Sequence, residues 1–118
     1  MNLIYHLVNR SALDFLGKKE DYLPKSLSQE GFIHFSNKEQ LLQTAHRYFL
    51  DKKDLWVLAV DVDKLNAKLV YEDLLGRGEV FPHLYGPLNL SAVYAINKLI
   101  KEDDCFVLDE TKWKFNCL

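Results

Sequence analysis

Leu55-Trp56-Val57-Leu58-Ala59-Val60-Asp61-Val62 is almost wholly apolar and rich in β-branched side chains, the pattern of a central strand. Downstream, Asp63 to Asn66 turns the chain and a second strand is expected over residues 68–73. Gly76-Arg77-Gly78 reads as a loop. Residues 80–87 hold too much Pro and Gly for a regular element. A strand is expected over 92–100 and a last edge strand over 105–108. Upstream, Leu41, Leu42, Ala45, Tyr48 and Phe49 recur at helical spacing, which predicts a helix from Asn37 to about Leu50. Ser36 and Glu39 have the spacing of a capping box, with Ser36 as N-cap. Phe32-Ile33-His34-Phe35 reads as a short strand. Before it comes a loop around Pro24, with one helical turn from Ser26 to Gly31. A short helix over 11–17 and a buried strand over 2–8 complete the chain. The sum is an α+β domain: a mainly antiparallel sheet with two short helices in the N-terminal half.

The length of 118 residues suits one domain, with a core over 2–100 and a C-terminal extension over 101–118. A hydrophobic fraction of 48% is ample for a real core. Fifteen Lys and Arg against 17 Asp and Glu give a formal charge of −2, which lacks the electrostatic footprint of a general nucleic-acid binder. No apolar run reaches the ~18 residues that a membrane span requires, and the N-terminus has no signal-peptide pattern. Cys105 and Cys117 therefore read as free thiols of a cytoplasmic protein.

Three of the four histidines sit in unusual settings. His6 lies in the first strand beside Tyr5, and His34 in the second, two residues before the helix. Each can be a core histidine satisfied by backbone, or the two can converge on one pocket and hold hydroxyls or phosphate. His83 lies in Phe81-Pro82-His83-Leu84-Tyr85-Gly86-Pro87, which is either a rigid corner or a pocket wall with Phe81 or Tyr85 stacking on a flat ring. His46 reads as a surface residue of the helix. Ser36 has a structural role as N-cap, and the helix end it opens favours an anion. Glu72 is an exposed strand-end carboxylate or a group that steadies positive charge, and Asp73 and Glu79 are weaker versions of it. Phosphate-loop, paired-cysteine zinc and serine-elbow motifs are absent from the sequence. A site of His6, His34 and His83 drawn from separate strands stays open as a metal alternative.

Ile4-Tyr5-His6-Leu7, Glu30-Gly31-Phe32-Ile33-His34-Phe35-Ser36, Tyr71-Glu72 and Phe81 to Pro87 together resemble the bacterial domain of unknown function 952 family, from residue 3 to about residue 99. That family is grouped with the ADP-ribosyltransferase-like fold, whose members include RNA 2′-phosphotransferases. The resemblance implies a split sheet with a cleft for NAD or an ADP-ribose-like nucleotide. It implies that His6 holds a ribose hydroxyl and that His34 approaches the ligand from the neighbouring strand. Leu7 and Val8 stand where the transferases carry Gly and Thr. The phosphotransferases also have a basic domain before the Tyr-His strand, so no nucleic-acid partner is expected here.

Three functional readings follow. One is an ADP-ribosyl transferase or glycohydrolase, with NAD as cofactor and Glu72, His83 and His34 as catalytic groups. Tyr5, His6, His34, Ser36, Phe81 and Tyr85 would then form the binding pocket. The second is a non-catalytic module for a nucleotide or phosphorylated metabolite. The third is a three-histidine metal enzyme.

Overall fold

Strand β3 (Leu55–Asp61) is buried at all seven positions. A computed structural model, which describes residues 1–115, explains why. β3 lies inside a four-stranded antiparallel sheet between β1 (Leu3–Asn9) and β6 (Val93–Lys98), and β9 (Lys114–Phe115) flanks β6. Both faces of this sheet are covered, so an uninterrupted apolar run is what its centre requires. On one face Leu7, Val57 and Ala59 pack on Leu41 and Ala45 of a helix. On the other, Ile4, Val8, Leu58 and Val60 meet Ile33, Leu84, Phe15 and Tyr22.

Ile33 and Leu84 belong to a second antiparallel sheet of order β2-β5-β4: β2 (Ile33–His34), β5 (Phe81–Tyr85) and β4 (Lys68–Glu72). The two sheets are stitched at one point. Tyr5 N–H donates to the Ser36 carbonyl at 2.8 Å, and Ser36 N–H to the Tyr5 carbonyl at 2.7 Å. β1 and β2, expected to be neighbours in one sheet, are therefore strands of different sheets.

Residues 80–87 depart from expectation most. They contain a regular strand, β5, at the centre of the second sheet. Pro82 is tolerated there because its carbonyl faces the β2 flank, accepting from Phe35 N–H at 3.0 Å just past the end of that two-residue strand. Its missing N–H falls on the same flank, where the ladder has already ended.

Three α-helices form rather than two: α1 (Asp14–Lys18), α2 (Lys25–Glu30) and α3 (Lys38–Tyr48). The expected helix over 11–17 begins instead as a 3-10 turn, Arg10–Leu13, capped by Asn9. Ser36 is not the N-cap of α3. Its backbone is committed to the bridge with Tyr5, so the box moves one residue along. Asn37 Oδ1 accepts from Gln40 N–H at 2.8 Å, and Gln40 Oε1 accepts from Asn37 N–H at 3.0 Å. Asn37→Ala is expected to lower stability by about 1 kcal/mol in urea denaturation, whereas Glu39→Ala, outside the box, should change it by only a few tenths.

The strand expected over 105–108 is half of a hairpin, β7 (Ile100–Glu102) with β8 (Cys105–Val107). Asp103 and Asp104 turn it with φ of 50° and 63°, the geometry of a tight two-residue hairpin turn. The hairpin buries Phe106 against α3, where His46 Nε2 accepts from Phe106 N–H at 2.8 Å. His46 is thus a structural acceptor rather than a plain surface residue. Residues 101–115 supply Phe106 to the core and β9 to the main sheet. Cys105 is free and exposed, and Cys117 lies outside the described residues. Among the described residues, no helix is long and apolar enough to cross a membrane.

Candidate functional site

Alternation along the second sheet divides its side chains. Ile33, Leu69 and Leu84 turn into the core. Their neighbours in sequence turn the other way and form a ring cluster. Phe32 lies 4.9 Å from His34, 4.8 Å from His83 and 5.3 Å from Tyr85, centroid to centroid. His34 and His83 are opposite one another in the β2–β5 register, with ring centroids 5.5 Å apart.

The Phe32, His34 and His83 rings border a cleft of about 660 Å³ between the edge of β1, the flank of α3 and the loop over residues 73–80. Its size is that of a small-molecule site. Of the site candidates, Tyr5, His6, His34, Ser36, Phe81 and His83 all line it. Glu72 and Tyr85 do not. They pair with each other, the Tyr85 hydroxyl donating to the two Glu72 oxygens at 2.5 and 3.0 Å. This bond raises the Tyr85 pKa.

His6 has both ring nitrogens engaged. A carbonyl can only accept, so Nδ1 carries the proton and donates to the His34 carbonyl at 2.5 Å. Nε2 is then a bare lone pair, and the Tyr22 hydroxyl donates to it at 3.0 Å. Burial pushes the His6 pKa down to about 4 and that of Tyr22 up to about 12, so both stay neutral near pH 7. His6 therefore tethers the His34 backbone rather than offering a nitrogen to a ligand. With its nitrogens taken, His6 offers no open nitrogen to stand beside His34 and His83. Among the described residues, no three His, Cys, Asp or Glu side chains are grouped to hold an ion. Ser36 is likewise occupied: it is buried and its hydroxyl donates to Thr44 at 3.3 Å. Tyr5 is buried against α3 and Trp113, which raises its pKa.

His34 is exposed, and its Nε2 lies 3.1 and 3.2 Å from the two Glu30 oxygens. Gly31 makes this pairing possible. Its φ of 88° ends α2 in a left-handed turn, folding Glu30 back toward β2. His83 is only 5% exposed, and its Nδ1 is sealed without a partner. Burial and then His34 lower its pKa, against opposing pulls from Glu72 and Glu30.

A scan of family models matches residues 7–96 to a protein family of unknown function, DUF952. The chain belongs to this family. No curated protein matches it. Three solved structures of one Caulobacter crescentus protein, CC0527, are similar. One crystal structure is 34% identical, covering 89% of this chain and 92% of that one, with a TM-score of 0.76. The solution structure is 33% identical, covering 90% and 91%, with a TM-score of 0.73. The DUF952 match takes in Glu30, His34 and His83.

Sequence reasoning missed five residues of the site, among them Phe32 at the hub of the ring cluster. Glu30 stands four places before His34, across a helix-ending glycine, which was a usable signal. Tyr22 carries no local signal, because it meets His6 only through the fold. Arg47 on α3 and Arg77 in the 73–80 loop both line the cleft and are exposed. Among the described residues, neither makes an ion pair.

Proposed function

We propose that the cleft binds a nucleotide of the NAD or ADP-ribose type. Its phosphates meet Arg47 and Arg77, and its flat ring lies against Phe32 and Phe81. The observation that carries this reading is the two guanidinium groups without carboxylate partners on the walls of an aromatic-floored cleft. Guanidinium suits phosphate because its fork of N–H donors fits two oxygens at once. The acidic groups of the cleft are already engaged. Glu30 holds His34, and Asp73 accepts from the Arg77 and Gly78 amides at 3.1 and 2.6 Å. Glu79 lies 3.4 Å from the Gln40 amide nitrogen.

Binding stands ahead of ADP-ribosyl transfer in this reading. Loss of nicotinamide leaves positive charge on the ribose carbon, which calls for a free carboxylate beside it. Glu72 is held by Tyr85 outside the cleft lining, and Glu30 is held by His34.

Calorimetry with NAD, ADP-ribose and AMP tests the reading. At least one should bind, more weakly as salt is raised. Arg47→Ala and Arg77→Ala should each weaken it about tenfold, or ~1.4 kcal/mol. Failure of all three ligands to bind removes the reading. Nicotinamide release from NAD would return the transferase or glycohydrolase reading to first place.

A further inference from the structure

Simple ligand holding leaves the Glu30–His34–His83 group unexplained. His34 and His83 face each other across paired strands, their rings nearly perpendicular at 77°. The separation of 5.5 Å lets both reach oxygens of one phosphate. Their surroundings differ. A carboxylate only accepts, so His34 Nε2 carries a proton, and an imidazolium there has a counter-charge in place at Glu30. His83 is sunk in the cleft lining with Nδ1 sealed, which leaves Nε2 as the nitrogen that meets the cleft. Burial favours its neutral form. A carboxylate-paired, exposed imidazole beside a buried, unpaired one is an arrangement that can divide acid from base.

The demands of two reactions decide between them. Cleaving the glycosidic bond of NAD expels a neutral base that needs no proton, so paired imidazoles add little. Cleaving a phosphodiester needs one group to take a proton from the nucleophile, one to give a proton to the leaving oxygen, and cations around the phosphate. His83, His34 and the two arginines match that set.

We propose that the cleft hydrolyses a nucleotide phosphodiester of the 2′,3′-cyclic phosphate class, with His83 as base, His34 as acid and Glu30 positioning His34. The proposal rests on the nucleotide-binding reading above. Water attacks phosphorus and loses a proton to His83 Nε2. The new P–O bond forms as the bond from phosphorus to one ribose oxygen breaks. That oxygen takes the Nδ1 proton of the His34 imidazolium, whose Nε2–H stays on Glu30. The ring opens to a single product, a nucleoside 2′- or 3′-monophosphate with its other ribose hydroxyl free. One proton has moved from His34 to His83, and exchange with solvent restores both rings.

The test is incubation of the full chain with 2′,3′-cyclic AMP in EDTA, followed by chromatography of the monophosphate isomers and calorimetry with AMP. One isomer should accumulate. His34→Asn and His83→Asn should each lower kcat by about 100-fold, with AMP still bound. His34 is exposed, so its variant carries the test if the buried His83→Asn chain fails to fold. Glu30→Gln should lower kcat about tenfold while KM and AMP affinity stay unchanged, because the proton donor loses the partner that orients it. A merely structural Glu30 would move KM, AMP affinity or the melting temperature along with kcat. AMP binding without cyclic phosphate turnover overturns this proposal and leaves nucleotide binding intact. Turnover that survives in both histidine variants also overturns it. A wild-type chain that binds neither AMP, NAD nor ADP-ribose removes both readings.

Discussion

Lowering the pH from 7 to 4 is expected to weaken the fold by roughly 3 kcal/mol through His6 alone. The imidazole is neutral in the folded chain, donating through Nδ1 to the His34 carbonyl and accepting at Nε2 from Tyr22. Protonation would place a charge within a partly buried site and oblige the Tyr22 hydroxyl to turn and accept from Nε2–H. The folded pKa of about 4 lies below the ordinary 6.5. Between these values the unfolded chain binds a proton that the folded chain refuses. Stability is therefore full above about pH 6.5, falls as pH drops through the window, and levels off below about 4. His83, also shifted down, adds loss of the same sign. Asp73 and Asp109 are held below the usual aspartate value and act only at still lower pH. Urea denaturation at pH 7, 5.5 and 4 measures the slope, and His6→Asn isolates the share due to His6. The variant should be less stable at pH 7 and lose less on acidification. Equal slopes for the two chains would refute the assignment. Nitrogen NMR of His6 should also report a protonated Nδ1 and a bare Nε2 at pH 7.

The same histidine shows where local sequence stops informing. β3 was legible because burial on both faces leaves an unbroken apolar run. α3 was legible from its spacing, and its cap fell one residue off because Ser36 answers to Tyr5, 31 positions away. β5 was obscured by Pro82, which usually speaks against a central strand. It is allowed here only because β2 stops after two residues. The cleft was half legible. His34 and His83 were found by their odd settings, and the β2–β5 register makes them neighbours. His6 looked equivalent to them in sequence, yet Tyr22 and the His34 carbonyl turn it into a tether. Glu72 looked like the site carboxylate from its strand-end position. Glu30, which ends a six-residue helix, is the cleft carboxylate that meets His34. For His6 it was contacts distant in sequence, with Tyr22 and the His34 carbonyl, that decided which of two equally coded histidines keeps a free nitrogen.

Gly86→Ala is expected to lower stability by about 3 kcal/mol, and adding Ala67→Gly should recover the part of that loss that comes from the clash. Gly86 follows β5, and Ala67 precedes β4 on the neighbouring strand. A Cβ placed on Gly86 would sit 2.7 Å from the Ala67 Cβ. Two methyl carbons need well over 3 Å, and neither is the end of a flexible side chain that can swing aside. The strands must part instead. They would part beside the Lys68–Tyr85 pair, two and four register steps from the pairs that set His83 against Val70 and Phe81 against Glu72 on the same face. The glycine in Phe81 to Pro87 is thus required by space between two strands and by its own φ of 158°, and its removal disturbs the face that carries the ring cluster. Thermal and urea denaturation of the two single variants and the double variant form a cycle. Ala67→Gly alone should cost about 0.5–1 kcal/mol, from the added freedom of its unfolded chain. A steric origin demands a double variant more stable than Gly86→Ala alone. Losses that simply add would mean that the two positions do not touch. Nucleotide binding by the rescued chain then separates the two roles of the motif. Recovered stability with recovered binding shows that the glycine serves the site only by letting β4 and β5 close.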